Sequence, residues 1–248
     1  MDAITSATAK PVRAANWDFR NILIQRTEMV RRFPLFSEIP LEDCAQIVGL
    51  AHERNFPRGK TMFFEGDPVQ QVYLLTSGCV KFSQFSTNGQ EVILRLNGTG
   101  ECFGVESSEK NTHCSTARTV VRSTALVWEA RQFEAVAERY PTLRRNIYCV
   151  LQRFLNQLEE RYREISTQKV APRLSSELLR LLRQVGKEAD GHVEIALSRR
   201  DLAQLTGTTL FTVSRLFCQW EVLGIVRPRR EAVQVLNVPA LVDLSRNE

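Results

Sequence analysis

The chain has 248 residues and a net charge of +5, with 43% apolar and 25% charged residues. That is the balance of an ordinary soluble globular protein of one large or two smaller domains. No apolar run approaches the roughly 20 residues that cross a bilayer, and the N-terminus MDAITSATAKPVRAANWDF has no apolar stretch behind a basic start, so neither a membrane span nor an export signal is expected.

Six cysteines (Cys44, Cys79, Cys102, Cys114, Cys149, Cys218) stand singly without any CxxC, and the three histidines are isolated. This spacing argues against a zinc knuckle or a tight iron–sulfur ligand set and predicts no metal site. It fits reduced thiols in a cytoplasmic protein.

Residues 1–32 read as an N-terminal tail. Pro40, with Glu42 and Asp43 in the first turn, opens a short helix that runs to about Ala51. Short β signals then alternate with glycines. Lys60–Phe64, Gln71–Thr76, Cys79–Ser86, Glu91–Leu96, Ser115–Val121 and Ala125–Glu129 read as strands, with Gly59, Gly66, Gly78, Gly89, Gly100 and Gly104 between or beside them. Asn88-Gly89 between two such runs predicts a two-residue hairpin turn with both central residues at positive φ. Evenly spaced short strands point to a β sandwich or jelly roll over residues 33–140. No nucleophile–base set, phosphate-cradling glycine loop or metal-ligand pair accompanies them, so no enzyme activity is expected.

A long helix follows from Pro141 to about Ile165, within a segment 141–169. Ile147, Leu151, Phe154, Leu158 and Ile165 advance by four, three, four and seven residues, with Arg161 in the missing slot. This is a coiled-coil seam about three heptads long. It reads either as a stripe packed on the β domain or as a dimer interface, and both can hold on different faces. Val170-Ala171-Pro172 breaks the chain and opens a C-terminal domain, 170–248. Its first helix runs from Arg173 to about Val185, and Lys187–Gly191 reads as a polar turn.

Residues 197–226, LSRRDLAQLTGTTLFTVSRLFCQWEVLGIV, carry the most information. Ser198 with Asp201 three residues on is a capping-box start. Leu202, Ala203 and Leu205 give the first helix a buried side, Gly207 supplies a turn, and Thr209 caps a second helix. Val213, Leu216, Phe217 and Trp220 fall at i, i+3, i+4, i+7, which leaves Leu210, Phe211, Ser214 and Arg215 on the outer face. This is the pattern of a helix-turn-helix, although a helical hairpin that binds nothing has the same spacing. The next segment favours DNA. Ile225–Leu236 reads as a hairpin with Arg227, Arg229 and Arg230 at its tip, suited to phosphates. From Val170 to Arg230 there are ten Lys/Arg against six Asp/Glu, so most of the basic excess lies here. The predicted DNA contacts are therefore Ser198, Arg199, Thr209, Leu210, Phe211, Ser214, Arg215, Arg227, Arg229 and Arg230.

Taken together, FPLFSEIP (33–40), FEGD (64–67), YLLTSGCVK (73–81), GECFG (100–104), LSRRDLAQLTG (197–207) and TVSRLFCQWEVLGIV (212–226) resemble the cyclic-AMP receptor protein/FNR family of bacterial transcription regulators, from Phe33 to Leu236. The resemblance implies an α+β chain: a cyclic-nucleotide-binding-like jelly roll as sensor, a long dimerisation helix and a winged helix-turn-helix domain. It further implies a homodimer that binds double-stranded promoter DNA sequence-specifically and contacts RNA polymerase.

The chain departs from the family pattern at the sensor. Cyclic-nucleotide binders carry a Glu directly after the GEcFG-like turn and an Arg–Ser pair further on. Here Gly104 is followed by Val105, Glu106 is one place late, and His113 and Cys114 stand at the Arg–Ser positions. Arg118 is nearby, but strand alternation turns it away from an inward-facing pocket. Without a guanidinium partner a cyclic phosphate loses a charge-assisted pair, which argues against cyclic AMP. The clustered N-terminal cysteines of the FNR branch are missing, which argues against an iron–sulfur cluster. The pocket candidates are Gly104, Val105, Glu106, His113 and Cys114. The signal is left open among a small organic effector or another nucleotide, haem with His113 as axial ligand, and oxidation of cysteines such as Cys102 and Cys114.

The DNA face departs as well. Of the family's recognition trio only Arg215 is present; Leu210 and Phe211 can touch a thymine methyl but cannot hydrogen-bond a base edge. Ser214 matches the FNR-like branch. The expected half-site therefore differs from those of well-known relatives. The competing reading is a signalling or scaffold module that kept the fold and lost DNA binding, favoured by Leu210 and Phe211 and opposed by Arg215, Arg227, Arg229 and Arg230.

Overall fold

The computed structural model describes residues 12–105, 111–189 and 192–246. Its sensor half has eight strands: β1 (His52–Phe56), β2 (Thr61–Phe63), β3 (Gln71–Ser77), β4 (Val80–Phe85), β5 (Glu91–Asn97), β6 (Cys102–Phe103), β7 (Thr116–Thr119) and β8 (Ser123–Glu129). They pair into two antiparallel sheets, ordered β1-β8-β3-β6 and β2-β7-β4-β5. Phe56, Phe63, Tyr73, Leu75, Val80, Phe82, Phe103, Ala117, Ala125 and Val127 form a common core. Tyr73 stacks on Phe103 at 5.0 Å, and Phe82 meets the same ring edge-on at 5.2 Å. Alternating strand residues thus fill the expected jelly roll. The six strands read from sequence are present. β1 and β6 escaped because HERNF has one apolar residue and β6 is two residues long.

The β4–β5 turn differs from expectation. Ser86 N–H donates to Gln90 and Gly89 N–H to Ser86, so the loop is Thr87-Asn88-Gly89, with Gly89 at φ +79°. Asn88 is not at positive φ; its side-chain oxygen accepts from Gln90 N–H at 3.2 Å. This is a three-residue loop in which only the last residue needs the left-handed region.

The supposed tail is also corrected. Val12–Val30 is a helix, α1, which meets α2 (Leu41–Gly49). Leu23, Thr27 and Val30 fall at i, i+4, i+7 on its inner side, and Val30 joins a core with Phe36, Ile47, Trp128, Phe133 and Leu143. Trp128 Nε1 donates to the Ile47 carbonyl at 2.8 Å, which fixes α2 on the sandwich.

After α3 (Ala130–Arg139), which was not anticipated, α4 runs from Pro141 to Thr167. The break before the next helix lies at Gln168–Lys169, both extended, rather than at Val170–Pro172. Pro172 instead occupies the first turn of α5 (Val170–Val185), where a missing N–H costs nothing. The C-terminal unit continues through β9 (Lys187–Ala189), β10 (His192–Ile195), α6 (Arg199–Leu205), α7 (Leu210–Val222), β11 (Val226–Pro228), β12 (Val233–Val235) and α8 (Val238–Arg246), with sheet order β11-β12-β10-β9. The polar turn expected from Lys187 therefore begins as an edge strand; an edge needs backbone pairing, not apolar side chains, and tolerates the exposed Lys187 and Glu188.

The two halves share a core. Cys79, Ile93 and Leu96 of the sensor pack into the cluster of Leu174, Leu178, Leu202, Phe217 and Trp220. The β4–β5 hairpin is thus buried against the helix-turn-helix unit.

Candidate DNA interface and effector cavity

The helix-turn-helix is built as its residues require. Asp201 N–H donates to Ser198 Oγ at 3.1 Å and Ser198 N–H to Asp201 Oδ2 at 3.2 Å, a reciprocal capping box at the start of α6. Leu202, Ala203 and Leu205 are buried. Gly207 turns the chain at φ +58°, where a residue with Cβ is strained. Thr209 Oγ1 accepts from Thr212 N–H at 3.1 Å and starts α7. Val213, Leu216, Phe217 and Trp220 are buried.

On the outer side of α7, Phe211 is 76% exposed, Leu210 and Arg215 are exposed, and Ser214 is half-buried. Arg227 lies on β11, and Arg229 and Arg230 sit in the β11–β12 turn, which is closed by Arg229 N–H to the Ala232 carbonyl. All three are exposed. Neither they nor Arg215 has a carboxylate partner among the described residues. Four uncompensated guanidiniums on one small unit suit a polyanion. Ser198 and Thr209 are engaged as caps. Arg199 is half-buried, with Nε lacking a hydrogen-bond partner among the described residues.

The predicted seam of α4 splits between two faces. Ile147 packs toward the α1–α2 core, and Phe154 covers Arg95, its ring centroid 4.1 Å from the guanidinium carbon. Arg161, in the seam's empty slot, also points inward; it donates to the Leu94 carbonyl and to Glu177. Tyr148, Leu155, Leu158, Tyr162 and Ile165 are exposed and Leu151 is half-buried; Leu158 also edges the cavity described below. Tyr148, Leu151, Leu155, Leu158, Tyr162 and Ile165 advance by three, four, three, four and three, an unbroken heptad stripe. The expected seam thus divides: Ile147 and Phe154 face the protein's own core, and Leu158 and Ile165 are exposed. The unbroken stripe has no charged residue, whereas the expected seam includes Arg161.

A cavity of about 320 Å³ lies between the β roll and α4, lined by Phe63, Phe82, Leu94, Phe154 and Leu158 with Gln84, Arg95, His113, Cys114 and Ser115. His113 and Cys114 both line it. Gly104 and Val105 do not line it: Gly104 (φ +86°) backs onto β3, where a Cβ would fall 2.6 Å from the Gln71 carbonyl, and Val105 packs on the α1–α2 core. Glu106 lies outside the described residues.

The sequence reading missed Arg95, which comes from β5 and sits between Phe82 (4.2 Å) and Phe154 (4.1 Å). The cavity therefore does contain a guanidinium, supplied by a strand rather than by the loop that carries His113. Alternation along EVILRLN places Arg95 in the same row as the buried Ile93 and Asn97, the signal that could have found it. His113 is buried and stacked flat on Phe63, with centroids 3.5 Å apart. One face of the imidazole is thus covered by Phe63. Cys102 is buried in the α1–α2 core, away from the cavity, while Cys114 is exposed at its rim.

The comparisons with known proteins match both halves. A cyclic nucleotide-binding domain family covers residues 53–140, and the Crp-like helix-turn-helix domain family covers 172–244. The cyclic AMP receptor protein of Thermus thermophilus is 30% identical over 213 residues, 86% of this chain and 96% of that protein. The chain belongs to the CRP/FNR family. The global nitrogen regulator of Synechococcus elongatus is 32% identical over 75% of this chain and 86% of its own length. The structure of FixK2 from Bradyrhizobium japonicum shares the fold, with a TM-score of 0.70 over 80% of this chain and 98% of that one, at 23% identity. This CRP/FNR protein is accordingly a transcription regulator with a helix-turn-helix DNA-binding domain.

Proposed function

We propose that this CRP/FNR regulator acts as a homodimer on promoter DNA, and that a small molecule held between the β roll and α4 sets its affinity. The observation that carries the DNA reading is the outward side of α7, where Arg215 is exposed, without a carboxylate partner among the described residues, beside an arginine-bearing hairpin. Arg215 is the one outward group of that helix able to bond guanine O6 and N7 bidentately, worth about 1–3 kcal/mol of discrimination. Arg227, Arg229 and Arg230 meet phosphates and supply salt-dependent affinity. The stripe from Tyr148 to Ile165 supports the dimer. RNA polymerase as a partner rests on family likeness alone.

The test compares binding to a selected operator and to scrambled duplex at several salt concentrations. Arg215→Ala is expected to weaken operator binding far more than scrambled binding. Arg229→Ala is expected to weaken both alike and to flatten the salt slope. If Arg215→Ala lowers both equally, it is a phosphate contact, and base reading falls to Ser214, Phe211 or DNA shape.

For the effector, the cavity offers aromatic and aliphatic walls and a polar side of Arg95, Gln84, His113 and Ser115. It suits a compact, partly apolar molecule with a hydrogen-bond acceptor. Cyclic AMP is not the physiological effector in this reading, because His113 and Cys114 replace the family's Arg–Ser pair. Calorimetry showing micromolar cyclic AMP binding coupled to tighter DNA binding rejects that part.

A further inference from the structure

Where α4 ends, one buried side chain gathers the free carbonyls of two helices. Arg173, in the first turn of α5, is 6% exposed. Its Nη1 donates to the Gln168 carbonyl at 2.9 Å and the Ile165 carbonyl at 3.4 Å, at the end of α4. Its Nε donates to the Thr206 carbonyl at 2.8 Å and its Nη2 to the Gly207 carbonyl at 3.5 Å, at the end of α6. The last carbonyls of a helix lack intrahelical partners and carry its negative end, so a guanidinium is well placed there. Among the described residues no carboxylate lies within ion-pair distance of Arg173; its charge is met by peptide dipoles. Ile165 also touches the same turn, lying 3.5 Å from where a Gly207 Cβ would stand.

The two bridged helices have different tasks. α4 carries the proposed dimer stripe, which ends at Ile165, and α6 leads into the recognition helix α7. The α4–α5 junction is further fastened by ion pairs: Arg180 to Glu164 (2.6 Å) and Glu177 (2.8 Å), and Arg161 to Glu177 (2.8 Å). Those pairs stop at α5. Arg173 alone among these groups reaches the turn of the helix-turn-helix.

We infer that Arg173 is a positioning residue for operator recognition: it locks the turn between α6 and α7 to the end of the dimer helix and so sets the distance and rotation between the two recognition helices. This rests on the DNA-binding dimer proposed above. The function belongs to the fork rather than to the charge, because a lysine ammonium donates from one nitrogen, whereas Arg173 reaches the two helix ends from three.

The readout is half-site spacing. Each base pair inserted between half-sites moves one of them about 3.4 Å and rotates it about 35°, so a rigid dimer prefers one spacing. A duplex with two half-sites is first selected from a random library by the unmodified full-length chain. Affinities are then measured for that duplex, for versions with one base pair added or removed, and for a single half-site. The unmodified chain is expected to prefer its own spacing by tenfold or more. Arg173→Lys and Arg173→Gln are expected to reduce this preference to within about threefold while leaving single half-site affinity within about threefold.

If either variant keeps the full spacing preference, or if half-site affinity falls as much as operator affinity, the inference is overturned. If both variants lose native circular dichroism, Arg173 serves folding rather than positioning, and the inference also falls. Failure of the unmodified chain to select any duplex would reject the DNA-binding reading itself, a distinct result.

Discussion

Lys81 on β4 places its Nζ 3.2 Å from the Asp201 carboxylate, the same carboxylate that closes the capping box of the helix-turn-helix. The sensor sheet thus touches the first residues of the DNA-binding helices directly, and Glu91 on the neighbouring strand, also 3.2 Å from the ammonium, shares the charge. The side chains are only 13% and 20% exposed, so this pair is screened less than a surface pair.

A double-mutant cycle of Lys81→Met and Asp201→Asn, read by denaturant unfolding, is expected to give a coupling of about 1 kcal/mol, at the upper end for partly exposed pairs. Additive effects of the two substitutions would show that the contact carries no energy between the two halves.

The α4 register makes a second expectation. Leu155→Glu with Tyr162→Glu puts charges only on the outer stripe and should yield well-folded monomers in analytical ultracentrifugation. Phe154→Ala should instead leave the dimer and cost each protomer about 2 kcal/mol, since a half-buried ring is lost from over Arg95. A dimer that survives the double substitution, or dissociates with Phe154→Ala, would return the seam to the opposite face.

Thiol reactivity separates the six cysteines. Burial, with Glu101 and Asp201 adding to it, pushes the Cys79 thiol up to about 12, and burial likewise raises Cys44. Cys102 is buried as well, whereas Cys114, Cys149 and Cys218 are exposed. Since the thiolate is the reactive form, a disulfide reagent at pH 8 should label Cys114, Cys149 and Cys218 quickly and the other three only on unfolding. Fast labelling of Cys79 in the native protein would contradict its burial between the two halves.

Glu101 gives a pH dependence with a definite sign. Burial raises its pKa, and this outweighs the hydrogen bonds from Gln184 and Gly98 and the nearby Arg95 and Arg153, which lower it. Its folded pKa lies above the unfolded one, so its contribution is fully present below the ordinary carboxylate range and is lost as pH rises through the raised value. Glu101→Gln removes that loss: unfolding measured from pH 4 to 8 should show the variant gaining stability relative to the unmodified chain as pH rises. A difference that is flat with pH, or that grows toward acid, would reject the assignment.

The helix-turn-helix could be read from residues 197–226 because everything that specifies it is local. Ser198 and Asp201 meet across one turn, Gly207 is set by its own φ, and Val213 to Trp220 lie on one helix face. The strands of the β roll were legible for the same reason, through alternation within each run. The β4–β5 loop was misjudged by one residue because Asn88-Gly89 is compatible with two loop lengths, and the register of the Ser86–Gln90 pair decides between them.

What the chain could not announce depends on which surface meets which. Both faces of α4 carry apolar residues at heptad spacing; only the seating of the β roll against Ile147, Phe154 and Arg161 leaves Tyr148, Leu155 and Tyr162 outside. Arg95 lies 18 positions before His113 in sequence, and the pairing of β4 with β5 on one side and with β7, the strand after His113's loop, on the other brings both into one cavity. Arg173 looked like an ordinary first-turn residue of α5. It becomes a bridge only because the ends of α4 and α6 converge on it, leaving carbonyls that no helix can satisfy. Local hydrogen bonds and periodicity are written in neighbouring residues, but the pairing of faces and helix ends is set by the total burial of the folded chain, which no short segment contains.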